Sequence, residues 1–242
     1  MMNNDNTIDV QSKLYGFIAL NASKNRFSTT INSRFKSDGL NAMMIPMNIR
    51  EDDLFFTLSN SKNSKLNGLM IDFEYQNEVI ELLTSKSEVV EKSSLCDAVV
   101  IKDGNLHGEY LFANALNSMC QALHVKSVAI IGANSYTKAF LLSNSYEVAV
   151  FDEYIEDILK LSQETQKDID INRLSNELHV ELSSYDIVLN FSSQDVSMIT
   201  CSIKNCFELY ENELKSVSEN YIDRDEFLEY YVDVFYKEIV CS

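Results

Sequence analysis

Gly132 stands directly after the apolar run SVAII and before a helical stretch, and Asp152 closes the next apolar run, EVAVFD, twenty residues later. This is the layout of a dinucleotide fold, in which loop backbone and a helix N-terminus hold a pyrophosphate and the acid hydrogen-bonds a ribose hydroxyl. A working loop reads close to G-x-G-x-x-G, because any side chain at the second glycine stands where backbone must approach the phosphates. Here the turn is Gly132, Ala133, Asn134 and Ser135, so the spacing speaks for the fold more strongly than for a bound nucleotide.

Other reactive residue types lack partners in sequence. The five cysteines are scattered, and Cys201 and Cys206, five apart, have no second pair or histidine cluster to complete a zinc site, since His107, His124 and His179 lie far off. Reduced thiols and no metal are expected. The carboxylates of YIDRDEFLEYYVDVFYKE lack calcium-loop spacing and read as the outer face of a helix. Asp72 and Glu74 alternate along one strand and could pair, although a solvated face is the simpler reading. His107 is read as exposed, with no base or metal partner.

The chain has 242 residues, 20 Lys+Arg against 37 Asp+Glu and a formal net charge of −17. That length suits one large domain or two modest ones. The acidic surface repels phosphate backbones and anionic lipid, which argues against nucleic acid and membrane partners. No apolar stretch approaches the roughly 20 residues that span a bilayer. The opening MMNNDNTIDV lacks the basic and apolar regions of a signal peptide, and a cytoplasmic location is expected.

Strand-like runs alternate with helical ones. KLYGFIAL and NAMMIPMNI are strands flanking residues 26–36, where Phe27, Ile31 and Phe35 recur at four-residue steps along one helix face. DDLFFTLSNS is a helix with an acidic start, NGLMIDFEY a strand, NEVIELLTS a helix, and DAVVIKDGNLHG a strand, Asp-Gly turn and return strand. KSVAIIGANSYTKAFLLSNSYEVAVFDE begins a fresh crossover unit, continued by a helix over 154–164 and the strand YDIVLNFSS. Residues 207–240 read as an amphipathic helix with Phe227, Tyr231, Val234 and Phe235 on its buried face. The alternation gives an α/β fold.

The runs YGFIAL, INSRFKSDGLNAMMIPMNIREDDL, GLMIDFEYQNEVIELL, LCDAVVIKDGNLHGEYLFANAL and DIVLNFSS resemble, at matching spacing, the shikimate dehydrogenase family and its quinate-using relatives. The likeness reaches about residue 193, and the last fifty residues match only loosely. The resemblance implies an N-terminal substrate-type α/β domain over residues 1–113, a Rossmann-like dinucleotide-binding domain over 114–206 and a truncated or divergent C-terminal helical segment over 207–242, which could return to the first domain.

The family moves a hydride between NADP and the hydroxyl-bearing carbon of shikimate, with a Lys and an Asp handling the proton and holding the substrate. Gln76 and Phe112 occupy the matching positions, so no intact catalytic residue is expected. Gln has no proton exchangeable in a useful range and Phe has no hydrogen-bonding group. Both are read as solvated or packed residues in a closed cleft rather than as a repurposed ligand pocket.

The remaining cleft positions implied by the resemblance are Ser23 and Asn25 for the carboxylate-binding serine pair, Met70 and Val100 for two asparagines, Asp72 for a threonine, Glu74 for a proline and Tyr230 for a C-terminal glutamine. Ser23 is read as a helix cap before a ligand. On the nucleotide side the family's N-R-T becomes Asp152, Glu153 and Tyr154, two acids that repel a 2′-phosphate. No cofactor is assigned; if one binds, NAD fits better than NADP, on Gly132, Ala133, Asn134, Ser135 and Asp152.

The first expectation for function is therefore a family homologue that has lost NADP-dependent shikimate oxidoreduction and acts as a non-catalytic binding or regulatory protein. The alternative is an active NAD(P)-dependent oxidoreductase on shikimate, quinate or another small hydroxy compound, with Asp72 or Tyr110 in proton transfer. A sensor that keeps the cleft without turnover is the third. A small-molecule ligand and a protein partner or second copy stay open.

Overall fold

In the first part of the chain, KLYGFIA, AMMIPMN and LNGLMI form β1 (Lys13–Ala19), β2 (Ala42–Asn48) and β3 (Leu66–Ile71). The computed structural model describes residues 11–175, 180–210 and 213–241. β1 is buried on both faces from Tyr15 to Ala19 because it runs parallel between β2 and β3. The chain's single proline, Pro46, lies on β2, which is an edge strand. The expected helical stripe is realised in α1 (Phe27–Ser37), where Phe27, Ile31 and Phe35 are all buried, and α2 (Glu51–Ser61) carries three acids in its first turn.

β4 (Ser85–Lys86), α3 (Glu88–Ser93), β5 (Ala98–Lys102) and β6 (Asn105–Glu109) complete the first sheet in the order β2-β1-β3-β5-β6-β4. β5 and β6 form the expected hairpin. Its two turn residues, Asp103 and Gly104, have φ of 52° and 75°, the left-handed backbone that an Asp-Gly pair tolerates and a tight hairpin requires. The expected helix over NEVIELLTS is corrected to a short 3-10 stretch, Glu78–Leu82. It ends because Leu83 is already extended on the way into β4.

The chain divides into two units, one running to Leu111 and resuming at Val232, the other spanning Phe112–Tyr231. The second contains α4 (Phe112–Ala122), β7 (Ser127–Ile131), α5 (Ser135–Ser143), β8 (Glu147–Asp152), α6 (Ile155–Thr165), β9 (Asp170–Arg173), β10 (Ile187–Asn190), β11 (Ile203–Glu208) and β12 (Ser218–Ile222). All its strand pairs are parallel, and the order β12-β11-β10-β7-β8-β9 is the 3-2-1-4-5-6 arrangement of the dinucleotide-binding fold. Ala129, Ile131, Ala149, Phe151, Val188 and Cys206 form the middle of one of its cores. α5 and α6 make the first two crossovers. The described residues between β10 and β11 contain no helix, and Glu213–Val217, before β12, is a 3-10 turn.

The expected helix over 207–240 is corrected at its start. Residues 207–208 finish β11 and Ser218–Ile222 pair as β12, so the helix, α7, begins at Arg224; it runs to Phe235 and continues as a π-helical turn over Tyr236–Val240. Its start is fixed by the Asp223 carboxylate, which accepts the N–H groups of Asp225 and Glu226 at 3.0 and 2.9 Å. Phe227 and Tyr231 are buried in the second unit. In the first unit, Phe235 meets the rings of Tyr15 and Phe27 edge-on at 5.8 and 5.6 Å, and Lys13 Nζ donates to the Val240 carbonyl at 3.2 Å.

Candidate functional site

The turn after β7 is built around Gly132, whose φ is +100°. A Cβ there would lie 3.1 Å from the Ser192 nitrogen, a tight contact, and the left-handed φ strains any side chain at this position. Asn134 then caps α5. Its Oδ1 accepts the N–H groups of Tyr136 and Thr137 at 3.0 and 3.2 Å, and its Nδ2 donates to the Phe191 carbonyl at 2.8 Å. These helix-start amides are the donors that a dinucleotide fold aims at phosphate, and here a side chain of the same loop satisfies them.

Asp152 completes the closure. Its Oδ2 accepts the Ala133 N–H at 2.7 Å, its Oδ1 accepts the Tyr154 N–H at 2.9 Å, and the residue is only 8% exposed. The structure thus brings Gly132, Ala133, Asn134 and Asp152 together but turns their polar groups on one another, while Ser135 is exposed at the start of α5. The residues present do not fit a pyrophosphate in this arrangement.

Phe112, the first residue of α4, is 1% exposed. Its ring lies within 5.1–6.3 Å of Tyr136, Phe191, Phe207, Phe227 and Tyr231, mostly edge-on or tilted, and Phe207 and Phe227 are 4.5 Å apart. Each such pair adds about 0.5–1.5 kcal/mol to the burial itself. Burial also pushes the Tyr136 hydroxyl well above its ordinary range.

In the first unit Gln76 is 1% exposed, and neither its Oε1 nor its Nε2 has a hydrogen-bond partner among the described residues. Gln76 is therefore packed, not solvated. Met70 is buried on β3 between Phe17 and Ala98, and Val100 is half-buried on β5 opposite Gly68 and His107. Tyr230 is half-buried on α7. Tyr110 is 3% exposed.

Three readings of single residues change. Ser23 caps no helix; its N–H donates to Asn48 Oδ1 at 3.0 Å, while Asn25 Oδ1 accepts the Phe27 N–H at 2.9 Å and so serves the start of α1. Asp72 and Glu74 do not share a strand face. Asp72 caps the 3-10 turn Phe73–Tyr75 and accepts from Asn25 Nδ2 at 3.3 Å, and Glu74 accepts the Leu20 N–H. His107 does have partners: its Nδ1 is 2.8 Å from Ser85 Oγ and its Nε2 3.0 Å from Glu109 Oε1. β4 lies beside β6 although Ser85 is 22 residues away, a pairing with no local signal.

The described cysteines are all free, and burial pushes the thiols of Cys120 and Cys206 up to about 12, far from the thiolate form that reacts or binds metal. His179 lies outside the described residues.

A buried carboxylate also escaped the sequence. Glu208, 3% exposed at the end of β11, accepts from Asn190 Nδ2 at 3.0 Å and from the Leu214 N–H at 3.1 Å, and burial raises its pKa. A raised folded-state pKa means the folded chain holds the proton more tightly than the unfolded one. The stability it contributes is full below the ordinary carboxylate range and lost as pH rises through the raised value. Thermal unfolding across the mildly acid range should show this fall in the parent and a flatter profile in Glu208→Gln; identical slopes would contradict it.

No family model matches the chain. Among curated proteins, the shikimate dehydrogenase (NADP(+)) of Aquifex aeolicus is 23% identical over 163 residues, covering 64% of this chain and 61% of the relative. That of Thermococcus kodakarensis is 27% identical over 149 residues, covering 60% and 55%. The chain is a homologue of the shikimate dehydrogenases. The matched part spans less than two thirds of the length of these two relatives.

Solved structures extend the likeness in fold. A shikimate dehydrogenase in complex with NADP+ superposes with a TM-score of 0.76 at 16% identity, over 96% of this chain and 91% of its own. The 5-ketofructose reductase of a Gluconobacter strain gives 0.75 at 13%, over 97% and 95%, and the quinate dehydrogenase of Corynebacterium glutamicum in complex with NAD gives 0.71 at 17%, over 93% of each. The resemblance and the α/β architecture with a Rossmann-like second unit, both expected from the sequence, are borne out. Among the described residues no helix is long and apolar enough to cross a membrane.

Proposed function

We propose that this homologue of shikimate dehydrogenases has lost NADP-dependent oxidoreduction of shikimate and acts as a non-catalytic binding or regulatory protein, in the cytoplasm. One observation carries the reading: where the resemblance puts the substrate-holding Asp, Phe112 is the centre of a buried ring cluster. Two others support it. Gln76 at the Lys position cannot exchange a proton, and Asn134 and Asp152 hold the loop amides that a pyrophosphate needs. Loss of one acid–base group costs about 10²–10⁴-fold in rate. Here proton handling, substrate anchoring and cofactor holding are all affected.

The test is direct. The purified chain, given shikimate or quinate with NADP+ or NAD+, is expected to produce no reduced-nicotinamide absorbance, and millimolar nucleotide is expected to leave its melting temperature unchanged. Turnover of either substrate would falsify the proposal. A second reading, an NAD-dependent oxidoreductase on another hydroxy compound, is favoured by Asp152 and Glu153 at the end of β8, where acids suit a ribose better than a 2′-phosphate. It requires a melting shift with NAD.

A further inference from the structure

A pocket of about 420 Å³ opens in the second unit at the carboxyl ends of β8 and β9, within the roughly 300–1,000 Å³ range of small-molecule sites. Carboxyl ends of parallel strands are where open α/β sheets take ligands. Asp152 and Arg173 face each other in register, and the Leu174 N–H donates to the Asp152 carbonyl at 2.8 Å. Glu153, next in the chain after Asp152, and Arg173 both line the pocket. Asp195 lines the pocket too, and hydrogen bonds from Ser197 hold its carboxyl below the usual range and therefore ionised. Leu174 and Met198 supply apolar wall, and Gln194 a neutral amide. Among the described residues, none forms a salt bridge with Arg173 or Glu153.

The charges decide what fits. A simple anion that reaches Arg173 also meets Glu153 and Asp195, and a simple cation attracted by the acids meets the guanidinium. A molecule carrying both signs satisfies all three groups. We propose that this pocket binds a small zwitterion of the amino-acid type, with its carboxylate on Arg173, its ammonium on Glu153 and Asp195, and its side chain against Leu174 and Met198. The pocket includes Glu153, beside which a bound ribose would sit, so this proposal rests on the loss of nucleotide binding proposed above.

Isothermal titration of the full chain with L-methionine and L-lysine tests it, each compared with its decarboxylated amine and its deaminated acid, and with adenosine 2′,5′-bisphosphate as the probe for a nucleotide. Saturable binding of at least one amino acid is expected, at least about tenfold tighter than either truncated form. Arg173→Ala and Glu153→Gln should each weaken it about tenfold or more while leaving the ligand-free melting temperature unchanged, because both side chains are exposed. Silence with both amino acids, equal binding of the deaminated acid, or binding of the adenosine bisphosphate in place of the amino acids would overturn the proposal. Hydride transfer is scored in a separate assay, so a failure of this proposal is told apart from a failure of the proposed loss of activity.

Discussion

Replacing Phe112 with aspartate should cost about 3–5 kcal/mol or more of folding stability and return no activity. The ring is 1% exposed and touches five other aromatic rings, so its removal leaves a cavity that the sheet cannot collapse into. The carboxylate would enter the same apolar space. Urea denaturation followed by circular dichroism measures the cost, since the chain has no tryptophan to report by fluorescence. Phe112→Leu, which keeps most of the volume, should lose far less. Adding Gln76→Lys to Phe112→Asp is expected to give a still inactive protein, because Asn134 and Asp152 continue to occupy the loop amides. An aspartate variant within about 1 kcal/mol of the parent would mean that the ring cluster is not the core described here.

Gln76→Met should have the opposite sign, a gain of about 1–3 kcal/mol. The Gln76 amide has given up water without finding a partner among the described residues, and a thioether of similar length fills the space with nothing left to satisfy. Melting temperature in the absence of any ligand reads the effect. If the amide serves a small molecule in the first unit, the same variant loses that molecule while gaining stability. A drop in melting temperature would show that Gln76 is better satisfied than its geometry indicates.

The framework was legible because its signals are local. Phe27, Ile31 and Phe35 mark one helix face whatever lies beneath them, the runs SVAII and EVAVFD announce strands buried on both sides, and Asp103-Gly104 carries its own turn chemistry. Gly132 and Asp152 were placed correctly relative to each other, but the spacing could not show that Asp152 would take the Ala133 N–H for itself. The misreadings have a common origin. The stretch 207–222 has helix-compatible composition, yet β10 offers β11 a parallel edge and β11 offers one to β12, and tertiary pairing overrides propensity. Arg173 was missed because its meaning depends on Glu153 and Asp195, brought beside it by strand register and a distant loop. Ser85 and His107 likewise meet only through strand pairing.

The rims of the first sheet have a consequence for solubility. One rim is β2, where Pro46 removes a backbone donor, and the other is β4, only two residues long. A growing fibril needs a long, uninterrupted row of donors and acceptors on which to add the next chain, and neither rim supplies one. Crowded copies of this unit should therefore resist templated amyloid stacking even though β1 and β3, between those rims, are rich in the apolar residues that such stacking prefers.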